Sequence, residues 1–219
     1  MLTGTTWAWL AAAGVLAVGD WIAKARGSKA LEYVCKPATM VALIGAALAL
    51  EPVDGTQRTC VVVALVLSMA GDVFLMLPER KLGPADTFTF GLGAFLLGHV
   101  AYIAGFIARG DRSALVVVAI AGAVVIVAKV APPILRGAKA EDPALGIAVT
   151  AYMTVIVVML LTAWWSGVPA AAAGATLFVT SDAMIGWSRF VREHPMHDLA
   201  IIITYHLAQA LLVVSLATT

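Results

Sequence analysis

The sequence carries too little charge to form a water-soluble surface. Asp, Glu, Lys and Arg make up 12% of the 219 residues, whereas 62% are hydrophobic and the mean hydropathy is +0.97. A soluble globular domain has about 25% charged residues. The composition therefore excludes a soluble enzyme and a disordered chain. A net charge of +1 also excludes a nucleic-acid partner, because it provides no basic surface to neutralise phosphates.

Cysteine is scarce, and the alternating pattern of a membrane β-barrel is missing. The two cysteines, Cys35 and Cys60, fall at opposite ends of their predicted helices, so we expect two free thiols. The apolar runs are nearly continuous over about 20 residues, which indicates membrane-spanning helices. We therefore predict an all-α, polytopic helical bundle. It contains no linker, so we expect a single integral membrane domain over residues 1–219.

Charged residues and Pro or Gly breaks divide the chain into eight apolar stretches. The first has no Lys or Arg before it, so we expect a permanent span and not a cleaved signal. The second is short for a crossing, unless it begins earlier, near Glu32. None is clearly broken by a proline in its middle, and the short connections predict spans that alternate in direction. The predicted spans are 5–23, 37–50, 59–77, 87–108, 113–131, 144–165, 169–188 and 198–217.

The distribution of Lys and Arg predicts the orientation of these spans. Eleven of the 14 basic residues lie in or beside the connections after spans 1, 3, 5 and 7, whereas Arg58, Arg109 and Arg112 lie on the other side. By the positive-inside rule, both termini are then outside and the basic connections face the cytoplasm, as expected for an inner-membrane protein.

Four titratable residues lie inside the predicted spans, where a charged side chain costs at least ~2.5 kcal/mol. Asp72, Asp182 and His206 lie at similar depths in the cytoplasmic half, and His99 lies slightly deeper, at a rise of about 1.5 Å per residue. Matching depths on separate helices predict a shared polar cavity that opens toward the cytoplasm. Asp20, at the end of span 1, is interpreted as an ordinary interfacial charge.

Further polar residues accompany these four, either next to them or three or four residues away on the same helix face. One interpretation is that they line the same cavity. The other is that they only hold the helices together by hydrogen bonds. These residues are Ser68, Tyr102, Ser181, Tyr205 and Gln209.

Two carboxyl groups in one low-dielectric cavity cannot both ionise cheaply, so we expect one of Asp72 and Asp182 to be protonated and the other ionised. Such a pair can donate a proton to one atom and stabilise positive charge or water at another. Acid-catalysed hydrolysis through an oxocarbenium-like cation suits this pair. No Gly-x-Ser-x-Gly motif is present, and neither cysteine is placed with a histidine.

Several short motifs follow one another along the chain. They are Lys36 and Pro37 opening span 2, Gly71, Asp72 and Leu75 in span 3, Gly91, Phe95, His99 and Tyr102 in span 4, Ser181 and Asp182 in span 7, and Tyr205 and Gln209 in span 8. As an ordered set they resemble the lysoplasmalogenase family, called YhhN-like in bacteria, from about residue 36 to residue 215.

This resemblance implies a membrane enzyme that hydrolyses the vinyl ether bond of lysoplasmalogens. The substrate would be a lysophospholipid in the bilayer, and the products a fatty aldehyde and glycerophosphoethanolamine or glycerophosphocholine. No cofactor or metal is needed for this chemistry.

The same resemblance suggests roles for the polar residues. One of Asp72 and Asp182 would be the acid and the other would stabilise the cation and activate water, with Ser181 and span 8 favouring Asp182 as the base. Lys36 would meet the lipid phosphate. The residues that would orient the carboxyls and the glycerol are Ser68, His99, Tyr102, Ser181, Tyr205, His206 and Gln209.

Two other functions fit parts of the pattern. Asp72, His99, Asp182 and His206 are residue types that bind zinc, so a zinc-dependent membrane lipid hydrolase is one alternative, although no His-x-x-x-His spacing occurs. A small proton-coupled transporter is the other, because buried carboxylates and a weak repeat of spans 3 and 4 in spans 7 and 8 are typical of carriers.

Overall fold

The computed structural model describes residues 1–83, 85–110, 112–194 and 196–217. Within these residues the chain forms eight long helices and a small antiparallel hairpin of β1 (Lys81–Leu82) and β2 (Ala85–Asp86). The predicted helical bundle is therefore confirmed. The helices are α1 Gly4–Ala25, α2 Lys29–Ala49, α3 Gly55–Met76, α4 Thr87–Arg109, α5 Val116–Glu141, α6 Pro143–Trp165, α7 Pro169–Phe190 and α8 His197–Val214, which is followed by a 3₁₀ turn, Ser215–Ala217.

All eight helices have the length needed to cross most of a bilayer. Seven of them, among the residues that the structure describes, are also apolar enough to do so. The exception is α7, which carries Asp182 and Arg189 together with several Ser and Thr residues. Large apolar side chains such as Val15, Leu48 and Ile147 are exposed on the outside of the bundle. A helix that is apolar on its outer face as well requires a lipid environment, so the chain is a multi-pass membrane protein.

Contacts between the connections show that successive helices run in opposite directions. At one end of the bundle, the N–H of Val53, between α2 and α3, donates to the carbonyl of Leu216 at 2.9 Å. The end of α4 lies at the same end, because the Arg109 guanidinium donates to the carbonyl of Ser215 at 3.2 Å. Beside it, the N–H of Ser113, between α4 and α5, donates to the carbonyl of Trp165 at 2.8 Å. The alternation expected from the short connections is therefore confirmed.

The opposite end of the bundle holds the basic connections. There Lys24 pairs with Asp198 at 3.3 Å and so ties the end of α1 to the start of α8. Arg189 pairs with Glu141 at 2.6 Å and with Glu79 at 3.4 Å, which joins the end of α7 to the end of α5 and to the connection before β1. That this end faces the cytoplasm stays a prediction.

The second helix is longer than its apolar run. It begins at Lys29, so that Lys36 and Pro37 lie inside it. The alternative of an earlier start near Glu32 is therefore confirmed, and a start at residue 37 is wrong. The charged residues that end the apolar run pair with one another: Lys29 contacts Glu32 at 2.9 Å. Because paired charges near a helix end can reach the interfacial region, they do not terminate the helix.

The fifth helix also extends beyond its predicted span, 113–131. It continues to Glu141 through a π-helical segment, Ile126–Val130, which directly precedes Pro132 and Pro133. Prolines lack the N–H that an α-helix needs, and a widened turn can absorb such a defect without ending the helix. The helix is therefore not broken by its prolines, and only the predicted end at residue 131 is wrong.

The hairpin leads into α4 through a side-chain cap. Oδ1 of Asp86 accepts a hydrogen bond from the Thr89 N–H at 2.7 Å. This hydrogen bond from the Thr89 backbone lowers the pKa of Asp86 below its ordinary value. The cap therefore stabilises the fold fully above the unfolded-state pKa of about 4, and its contribution is lost as the pH falls through the lowered pKa.

We expect Asp86→Ala to reduce the free energy of unfolding by about 1 kcal/mol at pH 7, because it leaves the Thr89 N–H without its cap. Thermal unfolding in detergent measures this as a lower Tm than that of the wild type. The difference in Tm should shrink in acid as the wild-type carboxylate is protonated. An equal difference at pH 3 and pH 7 would contradict a contribution from the ionised cap.

Candidate active site

An open cleft of about 740 Å³ lies at the basic end of the bundle. Both signs of charge line it, and most of its cations are already paired with carboxylates. Its floor includes apolar side chains, among them Leu75, Phe88 and Ile185. The charged residues of the lining are Lys24, Lys29, Glu32, Lys36, Arg189, Glu193 and Asp198.

A narrower pocket of about 70 Å³ adjoins this cleft, since Leu75, Phe88 and Ile185 line both. It lies among α3, α4, α5, α6 and α7, and its lining is apolar except for Asp182 and Tyr152. The pocket thus places one carboxyl group and one phenol in an apolar lining that adjoins a charged cleft.

Asp72 is buried in α3 and is held from two other helices. Nζ of Lys36, on α2, lies 2.9 Å from its Oδ1. The Tyr205 hydroxyl, on α8, donates to its Oδ2 at 2.5 Å. Lys36 also lines the cleft, so the ion pair links the buried Asp72 carboxylate to the cleft.

Asp182, in contrast, faces the apolar pocket from α7. Its Oδ2 accepts a hydrogen bond from the Tyr152 hydroxyl, on α6. Nε2 of His99, on α4, lies 3.9 Å from the same oxygen, which is too long for a direct hydrogen bond. In the part of the chain that the structure describes, no Lys or Arg pairs with Asp182.

An aromatic cluster separates the two carboxyl groups. The Phe178 ring lies 5.5 Å from that of Tyr205, which binds Asp72, and 4.7 Å from that of His99, which faces Asp182. Phe95 contacts both Phe178 and Tyr205 edge to face. The predicted pair of aspartates therefore flanks one cluster of rings, with Asp182 in the pocket and Asp72 beside the cleft.

Two glycines of the sequence motifs make room for this cluster. A Cβ at Gly71 would lie 2.5 Å from a ring carbon of Phe95, and a Cβ at Gly91 would lie 2.8 Å from Cδ2 of Leu75. Any larger residue at either position would push α3 and α4 apart. The glycines next to Asp72 and on α4 are thus needed for the close packing that brings Phe95 beside Asp72.

Three of the predicted site residues are engaged elsewhere in the bundle. The Ser181 hydroxyl donates to the carbonyl of Ile201 at 3.0 Å, so it links α7 to α8. It is therefore not the hydrogen-bond donor to Asp182. The Tyr102 hydroxyl donates to Oε1 of Gln209 in the buried core. These contacts support the hydrogen-bonding interpretation for Ser181, Tyr102 and Gln209.

Ser68 is buried one turn before Asp72, where it faces Gly98 of α4. His206 contacts α1 and not Asp182: its Nδ1 accepts a hydrogen bond from the indole of Trp21 at 3.1 Å.

Asp20 is only 1% exposed, so its interpretation as an ordinary interfacial charge is wrong.

Sequence reasoning missed Tyr152, Trp21 and Glu32 as parts of this region. A tyrosine in the middle of an apolar span is a usable signal, since a buried hydroxyl needs a partner. Glu32, which binds Lys29 and Lys24, was signalled by its spacing from the basic residues on either side. For Trp21 the only signal was its position next to Asp20.

The zinc alternative needs Asp72, His99, Asp182 and His206 in one ligand set. The structure divides them, because His99 faces Asp182 whereas His206 lies beside Asp20. Across the described ranges, no three or more His, Cys, Asp or Glu side chains come together as a metal site.

Comparisons with known proteins bear on almost the whole chain. The model of the YhhN family matches residues 31–216. The chain is 34% identical over 164 residues to proteins named lysoplasmalogenase from Mycobacterium bovis and Mycobacterium tuberculosis, and the match covers 70% of this chain and 58% of each relative. It is 28% identical over 157 residues to lysoplasmalogenase TMEM86B of Sus scrofa, with 70% and 62% covered. The chain thus spans about 60% of the length of these curated relatives, and no solved structure matches it.

Proposed function

Because the chain belongs to the YhhN family, we propose that it hydrolyses the vinyl ether bond of lysoplasmalogens within the membrane. The curated relatives named above are lysoplasmalogenases. The observation that carries the proposal is the position of Asp182, a carboxyl group in an apolar pocket that adjoins a charged cleft. A lysophospholipid has the same order of parts, with a charged head group, a reactive linkage and an apolar chain.

The substrate lies across the junction of cleft and pocket. Its phosphate binds in the cleft, where Lys36 presents an ammonium group, and its alkenyl chain begins in the pocket next to Asp182. The pocket has the volume of only two or three water molecules, so it holds the first carbons of the chain in its present form. The rest of the chain extends between the helices toward the bilayer.

Asp182 acts as the acid in this proposal. It has no paired cation in the described residues, and its pocket is apolar, so the protonated form is less costly there than a free carboxylate. Its proton goes to the vinyl carbon remote from the ether oxygen, which leaves an oxocarbenium ion at the carbon next to that oxygen. This reverses the expectation that Asp182 is the base, because the Ser181 hydroxyl on which it relied faces Ile201.

Asp72 supplies the compensating negative charge. It is paired with Lys36, so its ionised form is the one that the site is arranged to hold. Phe95, which lines the pocket, adds a further contribution, because aromatic rings attract cations. Water then adds to the oxocarbenium carbon and releases a proton to the now ionised Asp182. The hemiacetal then collapses: Asp182 returns a proton to the glycerol oxygen as its bond to carbon breaks, and the hemiacetal hydroxyl gives up its proton. The products are the aldehyde and a glycerophospho-alcohol.

The test of this function is mass-spectrometric detection of a long-chain aldehyde from lysoplasmalogen, using the purified full-length chain in detergent. A lysolipid with a saturated alkyl ether should stay intact, because it has no carbon that accepts the proton. In heavy water, rapid trapping of the aldehyde should show one deuterium on the carbon next to the carbonyl. Release of fatty acid from an acyl lysolipid without any aldehyde would contradict the proposal.

The same assay separates this proposal from the zinc alternative. The protein is treated with a chelator, and metal analysis verifies that no zinc is left. Activity that persists after this treatment excludes a zinc hydrolase, whereas activity that is lost and then restored by zinc supports one. We further propose that the protein lies in the inner membrane and that its cleft faces the cytoplasm, because the positive-inside rule places the basic connections on that side.

A further inference from the structure

A second buried Asp–His pair lies near Lys36, outside the residues used in the proposed reaction. Asp20, on α1, and His206, on α8, are 1% and 3% exposed. Oδ2 of Asp20 lies 3.9 Å from Nε2 of His206. Within the described structure, neither this nitrogen nor the other oxygen of Asp20 has a hydrogen-bond partner. Two buried polar groups thus face each other across a gap.

The tautomer of His206 follows from its other contact. The Trp21 indole donates to Nδ1 of His206 at 3.1 Å, and the two ring planes are inclined by 28° with centroids 6.4 Å apart. An indole N–H can only donate, so Nδ1 must carry a lone pair and Nε2 must carry the hydrogen. A doubly protonated imidazole would lose this hydrogen bond. Trp21 therefore holds His206 as a neutral donor directed at Asp20.

The two groups stand close to a direct hydrogen bond. At 3.9 Å, the Asp20 oxygen and the His206 nitrogen are too far apart for one, and too close together for a water to lie between them. A shift of about 1 Å by either side chain brings the Nε2–H within hydrogen-bond distance of the carboxylate.

The surroundings of this pair connect it to Asp72. Asp20 interacts electrostatically with Lys24 on its own helix, with Glu32 and Lys36 on α2 and with Asp72 on α3. Lys36 is thus attracted by a second carboxyl group besides Asp72. Tyr205, the neighbour of His206 in sequence, is the residue that donates to Asp72.

We propose that Trp21, His206 and Asp20 form an orienting array that fixes Lys36 and Tyr205 against Asp72. The three are positioning residues for the hydrolysis proposed above, on which their kinetic role rests. Trp21 and Asp20 precede residue 31, where the match to the YhhN family begins. In this chain α1 would therefore complete a site whose other residues lie within the family match.

Trp21→Phe tests the array because it keeps an aromatic ring and removes only the N–H donor. We expect kcat for aldehyde release to fall at least tenfold with KM within a factor of two, as is common when a supporting hydrogen bond to an active-site group is lost. Trp7→Phe is the matched control, since Trp7 is on the same helix and 58% exposed. It should leave both constants unchanged.

Nitrogen NMR of histidine-labelled protein provides a readout that does not depend on activity. At pH 7, the His206 signals, assigned by their loss in His206→Gln, should show a single neutral tautomer with the hydrogen on Nε2. The Trp21→Phe variant should show a mixture of tautomers. A wild-type His206 with its hydrogen on Nδ1, or with both nitrogens protonated, overturns the proposal even if the variant does not fold.

A double-variant cycle tests whether the residues act as one unit. If they do, Trp21→Phe combined with Asp20→Asn should lose no more kcat than the more affected single variant. Losses that multiply, or a Trp21→Phe enzyme with wild-type kcat, overturn the proposal. A wild-type protein without aldehyde release would instead count against the proposed function, while the NMR result would still decide whether the array exists.

Discussion

Asp182→Asn should lower aldehyde release by a factor of about 10² to 10⁴ without unfolding the protein, because that is the usual cost of removing a general acid. An asparagine has the shape of the aspartate, and its carbonyl oxygen can still accept the hydrogen bond that the Tyr152 hydroxyl donates. It cannot supply a proton to the vinyl carbon. The loss should appear in kcat, since the substrate still fits the pocket.

Asp142→Asn is a suitable control for this variant. Asp142 is exposed, and it caps α6 by accepting a hydrogen bond from the Ala144 N–H at 2.7 Å. Asparagine is an equally good capping residue, so this variant should keep both stability and activity. Near wild-type aldehyde release from Asp182→Asn, measured beside this control, would remove Asp182 from the mechanism.

The eight-helix bundle could be predicted from the sequence because membrane insertion depends on the length and polarity of each segment. The exact limits of two helices could not. The start of α2 depends on the ion pair between Glu32 and Lys29, and the continuation of α5 depends on the π-helical segment before Pro132. The ion pair offsets the cost of charges near the membrane, and the π-helical segment offsets the N–H groups that the prolines lack. Neither can be detected by counting apolar residues.

The candidate carboxylates could be found for a similar reason, since an aspartate inside a span is costly wherever it lies. Their partners could not be assigned, because each comes from a helix distant in sequence. The depth of each residue in the membrane does not determine which histidine faces which aspartate. In the structure His99 faces Asp182, and His206 faces Asp20. The neighbours of Asp72 and Asp182, which distinguish their chemistry, are therefore a result of tertiary packing.

Lys36→Met is expected to have the largest effect on stability. It leaves the Asp72 carboxylate buried without its cation, and breaking a buried ion pair in this way typically costs about 3–5 kcal/mol. Thermal unfolding in detergent should show a large fall in Tm, and aldehyde release should be lost. The reverse change, Asp72→Asn, should cost less stability, because the Lys36 side chain is 14% exposed and borders the cleft, whereas that of Asp72 is 2% exposed.

The double variant Lys36→Met/Asp72→Asn separates the structural role of this ion pair from its proposed chemical role. It no longer leaves a charged Asp72 buried without its cation, so most of the stability lost in Lys36→Met should return. Aldehyde release should not return, because both the negative charge that stabilises the oxocarbenium ion and the ammonium group that binds the phosphate are missing. If the double variant stays as unstable as Lys36→Met, packing of the Lys36 stem matters more than its charge. If the double variant regains activity, the Asp72 carboxylate has no part in the reaction, and Asp182 must act without it.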